Sequence, residues 1–220
     1  MKPNIIAVLN QKGGVGKTTR ATNLAHALVL EQNRVLLVDA DPQGSLRDWN
    51  EVNRGAVAPV IGLDRETLPK DLAAVSQDYD TLILDGAPQI AKLSAAAIKV
   101  ADLVLIPVTP SPYDLWACAD LVDIIKARQE LTKGRPQAAF VISRAIRNTK
   151  LSGEIAQVLA EYELPTLSAM TTQRVIYPSS AADGKTVFDD AKDWTAVAEM
   201  QAIRDEVYAI LQPQAVRHVA

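Results

Sequence analysis

The densest chemistry in the chain lies near its amino end, in Asn10-Gln11-Lys12-Gly13-Gly14-Val15-Gly16-Lys17-Thr18-Thr19. Glycines let the backbone curl so that successive N–H groups point inward at an anion. Lys17 has the reach for the β- and γ-phosphates of a nucleotide, and the Thr18 hydroxyl can ligate Mg²⁺. Lys12 is a second cation that would help neutralise a transferring phosphoryl group. Three acids stand where strands would end: Asp39 and Asp41 after Val35-Leu36-Leu37-Val38, and Asp85 after Leu82-Ile83-Leu84. Three carboxylates beside one triphosphate repel unless a divalent cation lies among them, so Mg²⁺ is implied. Asp85 would hold it, through water, and the chemistry is phosphoryl transfer.

These residues need a scaffold of alternating strands and helices. Ile5-Ile6-Ala7-Val8-Leu9 reads as a buried strand and Thr19 to Leu30 as an amphipathic helix, which is the strand–turn–helix context a phosphate-binding loop requires. The helix N-terminus adds its positive dipole end. Further nearly continuous apolar runs, Arg34–Asp39, Tyr79–Asp85, Leu103–Val108 and Ala138–Ser143, suit parallel strands buried on both faces. Val57 to Ile61 reads as an edge strand because of Pro59, and Pro165–Leu167 as a last short strand. Helices are expected through Trp49, over 66–75, over 93–100, from the Thr109–Asp114 loop to about Arg128, over 151–162, and from about Trp194 to Leu211, with a break at Gly184. The fold class is α/β: one doubly wound, mostly parallel sheet with helices on both faces and ligands at the carboxyl ends of its strands. No linker-like stretch divides the chain, so residues 1–220 read as a single domain, helical from about residue 170.

Composition narrows the function. The chain has 220 residues, 48% apolar, and a net charge of −3, so it is a globular protein and any nucleic-acid contact must come from a local patch. A single cysteine, Cys118, excludes a disulfide framework and a cysteine-built cluster within one chain, and two histidines do not favour a histidine metal centre. The sequence opens directly on a strand, and no apolar run of about twenty residues would cross a membrane, so a cytosolic protein is expected.

The loop departs from the ordinary pattern. Gln11 stands where a glycine is expected, and Lys12 adds a charge. Lys12-Gly13-Gly14-Val15-Gly16-Lys17-Thr18-Thr19 resembles the deviant Walker A motif of the ParA/MinD ATPases. Asp41-Pro42-Gln43-Gly44 resembles their switch I loop and Asp85-Gly86-Ala87-Pro88 their switch II. The segment Val108–Asp114, with Thr172-Gln173-Arg174 and Gly184–Phe188, resembles the short, ParF-like ParA partition proteins over nearly the whole chain.

The resemblance implies an ATPase that cycles between an ADP-bound monomer and an ATP-bound sandwich dimer, with ATP/ADP and Mg²⁺ as its ligands. Gly13, Gly14, Val15, Gly16, Lys17, Thr18 and Thr19 would hold the nucleotide, and Thr18, Asp39 and Asp85 the metal site. Lys12 would reach across the dimer to the partner's phosphates, and Asp41 would position the attacking water. The implied partners are a second copy of the chain, duplex DNA without sequence preference, and a centromere-binding adaptor of the ParB/ParG kind, the cargo being a plasmid or chromosome. The ATP-bound form would then associate with the nucleoid.

Non-specific DNA binding needs Lys and Arg facing phosphates. Candidates are Arg144, Arg147 and Lys150 in one loop, then Lys126, Arg128, Lys133 and Arg135, with Arg174 and Lys185 as additions. Two related roles remain as alternatives: a MinD-like membrane-associated positioning ATPase and a conjugation-related ParA-like ATPase. A membrane form should end in a basic amphipathic helix, whereas Leu211–Ala220 holds a proline and few cations, so no membrane partner is expected.

Overall fold

In the computed structural model, residues 2–88, 91–146, 151–189 and 193–212 are described. Six parallel strands form one sheet in the order β3-β2-β4-β1-β5-β6. They are β1 (Asn4–Val8), β2 (Val35–Ala40), β3 (Val60–Gly62), β4 (Thr81–Gly86), β5 (Leu103–Val108) and β6 (Gln137–Ile142). Strands 2 to 4 lie on one side of β1 and strands 5 and 6 on the other, so the winding reverses at β1. In open α/β sheets that reversal is where ligands bind, outside the carboxyl ends of the strands.

The strands are apolar along their whole length because both faces are covered. On one face Ile5, Ala7, Leu36, Val38, Leu82, Leu84, Val104 and Ile106 pack against helices α3 (Leu68–Val75), α4 (Ala91–Val100), α6 (Ala119–Leu131) and α7 (Leu151–Ala160). On the other, Ile6, Val8, Leu37, Ile83, Leu105 and Val141 meet α1 (Lys17–Leu30), α2 (Ser45–Asn53) and α9 (Trp194–Leu211). The period-2 alternation of strand side chains sends neighbours in sequence into opposite cores.

Three expectations shift. Pro165–Leu167 is not a strand: Thr166 makes an isolated bridge to Phe140, flanked by the Phe140 N–H on the Pro165 carbonyl (2.9 Å) and the Leu167 N–H on the Phe140 carbonyl (2.8 Å). The helix expected to run to Arg128 is two, α5 (Pro112–Trp116) and α6, divided at Ala117-Cys118. The edge strand starts after Pro59 rather than before it; the Pro59 carbonyl still accepts from the Leu37 N–H at 3.0 Å.

Gly184, after α8 (Ile176–Ala182), does more than end a helix. Its φ is +65°, and a Cβ there would lie 2.5 Å from the Asn53 backbone nitrogen and 2.7 Å from the Val52 carbonyl carbon. Its own carbonyl accepts from Asn53 Nδ2 at 2.8 Å. The carboxyl-terminal segment therefore seats backbone to backbone on the end of α2. Gly184→Ala should destabilise the fold by at least about 3 kcal/mol, lowering Tm by about 6–12 °C in a chain of this size. Thermal melts of the two proteins check this; a shift under about 2 °C would show that the seat yields.

Candidate functional site

The loop between β1 and α1 owes its shape to Gly14 (φ +78°) and Gly16 (φ +90°), left-handed positions that favour glycine. A Cβ built on Gly13, Gly14 or Gly16 would meet no heavy atom within 4 Å, so the cradle the sequence anticipates is open. Helix α1 begins at Lys17, two residues earlier than the apolar pattern indicates, with Gly16 as its cap and the Arg20 N–H bonded to the Gly16 carbonyl at 2.9 Å. Asn10 braces the loop from β1: its Oδ1 accepts from the Lys12 N–H (2.8 Å) and its Nδ2 donates to the Pro107 carbonyl (2.8 Å).

The two lysines face different ways. Lys17 is buried and bends back over the loop to donate to the Lys12 carbonyl at 2.9 Å. Burial pulls its pKa down, while Asp85 and Asp41 pull it up. Lys12 has a 41% exposed side chain, and its ammonium is bonded to the carboxylate of Asp114, which is 4% exposed.

The acids arrive at one place by strand register. Asp39 of β2 and Asp85 of β4 are direct Cα partners, and Asp85 is also the partner of Val8, two residues before the loop. Asp85 Oδ2 accepts from the Thr18 hydroxyl at 2.6 Å, whereas its Oδ1 is buried without a partner. Burial raises the Asp85 pKa to about 7, with Asp39 and Asp41 adding to the rise. An orphaned carboxylate oxygen next to a hydroxyl, at the mouth of a phosphate cradle, fits a hard divalent cation.

The expectation that three carboxylates surround the ion is narrowed. Asp39 lies in the cluster, but its Oδ1 accepts from the Asp41 N–H (3.0 Å) and its Oδ2 from the Arg47 N–H (2.9 Å) and Nε (3.3 Å). Arg47 also reaches the Asp41 carbonyl (3.0 Å) and Asp64 (3.1 Å). Asp39 thus shapes the 41–47 loop rather than presenting a free oxygen. Among the described residues no group of three or more His, Cys, Asp or Glu is placed to hold a metal ion alone. Thr18 and Asp85 are the residues whose oxygens would be left to hold such an ion, with phosphate and water completing its shell. Asp41 is buried, and its Oδ1 caps the Gln43 N–H at 3.0 Å.

An acid whose folded pKa is raised favours the fold fully only below its unfolded pKa; that contribution is lost as pH rises toward 7. Without nucleotide, Asp85 therefore burdens the fold at pH 8. Asp85→Asn should raise the Tm of the nucleotide-free chain by several degrees at pH 8, and the gain should shrink as pH falls below 7; a tenfold difference in proton affinity between folded and unfolded chain is worth about 1.4 kcal/mol. Melts at pH 5 and pH 8 measure it, and an equal Tm at pH 8 would contradict the buried-charge account.

Sequence reading missed two basic residues. Arg47 is one. The other is Arg20, 4% exposed in α1, which donates to Ser143 Oγ (2.8 Å) and Thr171 Oγ1 (2.9 Å). Its burial lowers its pKa to about 10. It ties the phosphate-loop helix to the walls of a cavity of about 550 Å³, lined by Val15, Gly16, Arg144, Thr172 and Tyr177 among others. Arg144 is exposed with φ +56° and belongs to that cavity wall, while Arg147 and Lys150 lie outside the described residues. Lys126 is paired with Glu163 (2.7 Å), and Arg174 with Asp193 (3.1 Å) and Glu199 (3.5 Å). Lys133, Arg135 and Lys185 are exposed.

The chain belongs to the family described as the CobQ/CobB/MinD/ParA nucleotide binding domain, whose model matches residues 6–187. It is a P-loop ATPase domain of the ParA/MinD kind. It is 31% identical over 207 residues to the maintenance of carboxysome distribution protein A of Halothiobacillus neapolitanus, covering 92% of this chain and 95% of the relative. With the chromosome-partitioning ATPase Soj of Thermus thermophilus the identity is 28% over 239 residues, covering 94% and 96%. The fold is shared with a cobyrinic acid a,c-diamide synthase from Mycobacterium smegmatis, solved with bound ATP analog and magnesium: TM-score 0.76, 21% identity, covering 98% of this chain and 97% of that one.

Proposed function

We propose that this chain is a Mg²⁺-dependent ATPase that positions a cargo, switching between an ADP-bound monomer and an ATP-bound sandwich dimer that holds DNA without sequence preference. The carrying observation is the division between the two lysines of one loop: Lys17 lies over the cradle, and Lys12, half-exposed, is turned away from it to Asp114. A half-exposed cation that does not serve its own open phosphate site suits a role toward a second subunit's nucleotide. The neighbouring helix α5 presents Tyr113 (71% exposed) and Trp116 (65%), ring centroids 5.6 Å apart, as apolar surface for that second copy to cover.

The roles follow from position. Gly13 to Thr19 hold the phosphates, and Thr18 and Asp85 hold Mg²⁺, which when bound neutralises charge on the phosphoryl group. The cavity beside Arg20 takes the base and ribose. Asp41, on the loop braced by Arg47, orients the water. For duplex contact Arg144, Arg147 and Lys150 come first, with Arg128, Lys133, Arg135 and Lys185 beside them, whereas Lys126 and Arg174 already hold acids.

For the cargo, DNA partition through a ParB/ParG-like adaptor is the reading from the sequence. The carboxysome-distribution relative, covered over 95% of its length, favours a second reading, in which the cargo is a protein compartment. Both use the same switch.

Size measurement with ADP, ATP and a slowly hydrolysed ATP analogue should show a dimer with the analogue only. Fluorescence anisotropy on two unrelated duplexes should show binding only in that state, equal for both duplexes and falling steeply with salt. Equal binding with ADP and analogue, or preference for one duplex, would remove the mechanism.

A further inference from the structure

We propose that Asp114 is the positioning residue for Lys12: it holds the lysine in its own chain and sets the threshold a nucleotide must exceed before the lysine can serve a second subunit. This rests on the sandwich-dimer reading above. Asp114 stands in the five-residue helix α5, 102 positions from Lys12, and its carboxylate is almost wholly enclosed. Among the described residues each oxygen has one hydrogen-bond partner: Oδ1 takes the Lys12 ammonium and Oδ2 the Thr109 hydroxyl. The Asp114 carbonyl accepts from Cys118 Sγ at 3.2 Å, and Asn10 donates to that sulfur at 3.5 Å while also holding the Lys12 N–H. Both ends of the pair are therefore fixed to one small framework of β1, the phosphate loop and the start of α6.

When Lys12 leaves, it leaves behind an enclosed carboxylate with only a hydroxyl to answer its charge. Leaving an enclosed carboxylate without its cation is unfavourable, though the half-exposed lysine makes the cost smaller than for a fully buried pair. The lysine moves only toward an anion that outbids Asp114. A triphosphate carries one more phosphoryl group than a diphosphate, so it compensates the loss where a diphosphate does not. The penalty is the same for either nucleotide, because the same pair is broken. Asp114 thus shifts both dimer equilibria together and leaves only the triphosphate form populated.

Asp114→Asn keeps the size and an acceptor for Thr109 but removes the charge. Sedimentation equilibrium of the full chain with Mg²⁺ and either ADP or the slowly hydrolysed analogue should show dimer dissociation constants about tenfold lower than those of the parent, by the same factor for both nucleotides. Asp114→Glu should restore the parent values. In the monomer, Lys12 should react several-fold faster with an amine acylating reagent in the Asn variant, read by mass spectrometry. Unchanged or higher dissociation constants, or equal acylation rates, overturn the proposal. If the Asn variant does not fold, Thr109→Val decides by the same two readouts with shifts in the opposite direction. The carboxylate it leaves has lost its hydroxyl partner and grips the lysine harder, so dissociation constants should rise and acylation slow, and an unchanged value of either overturns the proposal. A parent that stays monomeric with the analogue refutes the sandwich dimer itself; a parent that dimerises beside an indifferent Asn variant refutes only the role of Asp114.

Discussion

Lys17→Ala should bind MgATP at least about 100-fold more weakly than the parent and show no measurable hydrolysis, with the fold intact. The ammonium lies over the cradle, and a charge-assisted contact to phosphate is among the stronger polar interactions. Its loss leaves the backbone N–H groups and the helix end to hold the phosphates. The same substitution should relieve strain on the nucleotide-free chain, since burial already lowers the Lys17 pKa. Calorimetric titration with MgATP and a thermal melt without nucleotide separate the two effects. Retained ATP affinity in a folded variant would show that the loop is not the phosphate site.

Asp41→Ala should act on the chemical step instead. The triphosphate is to be held by residues 13–19 with Thr18 and Asp85, none of which needs the Asp41 side chain. Hydrolysis additionally requires a placed water, and removal of a positioned acid–base group costs about 10²- to 10⁴-fold in rate. ATP affinity should stay within about tenfold of the parent, and the dimer should persist where the parent's decays. Asp41 is buried, and its charge is felt at both Lys17 and Asp85, which supports its role in placing the water. Parental turnover in a single-turnover assay would reassign the water to another residue.

The parts of the site that were legible in the sequence are those fixed by local chain geometry. Gly14, Gly16, Lys17 and Thr18 lie on consecutive turns of backbone, and Asp85 follows an apolar run, buried on both faces, that brings it to the carboxyl end of an interior strand. The β2, β4, β5 and β6 runs were readable for the same reason, because parallel strands carry no polar face. What stayed hidden depends on partners brought together by the fold. Nothing near Asp39 announces that Arg47 will take its oxygen, and the Lys12–Asp114 pair joins residues 102 apart. Nothing in the sequence marks Arg20 as buried; its partners Ser143 and Thr171 lie 123 and 151 positions away. Pro165–Leu167 has strand-like residues but is attached through a single bridge.

The order of the sheet has a consequence for biosynthesis. β1 is the first strand to leave the ribosome, yet its hydrogen-bonding neighbours are β4 and β5, at residues 81–86 and 103–108. Until residues 81–86 have emerged, the segment bearing the phosphate loop has no sheet neighbour on either side, and until 103–108 it has one on only one side. The Asp85 that meets Thr18 arrives with the first of those strands, and the Pro107 carbonyl that braces Asn10 with the second. Nascent chains halted before residue 81 should therefore be unable to retain nucleotide, although the whole glycine loop is already outside the exit tunnel.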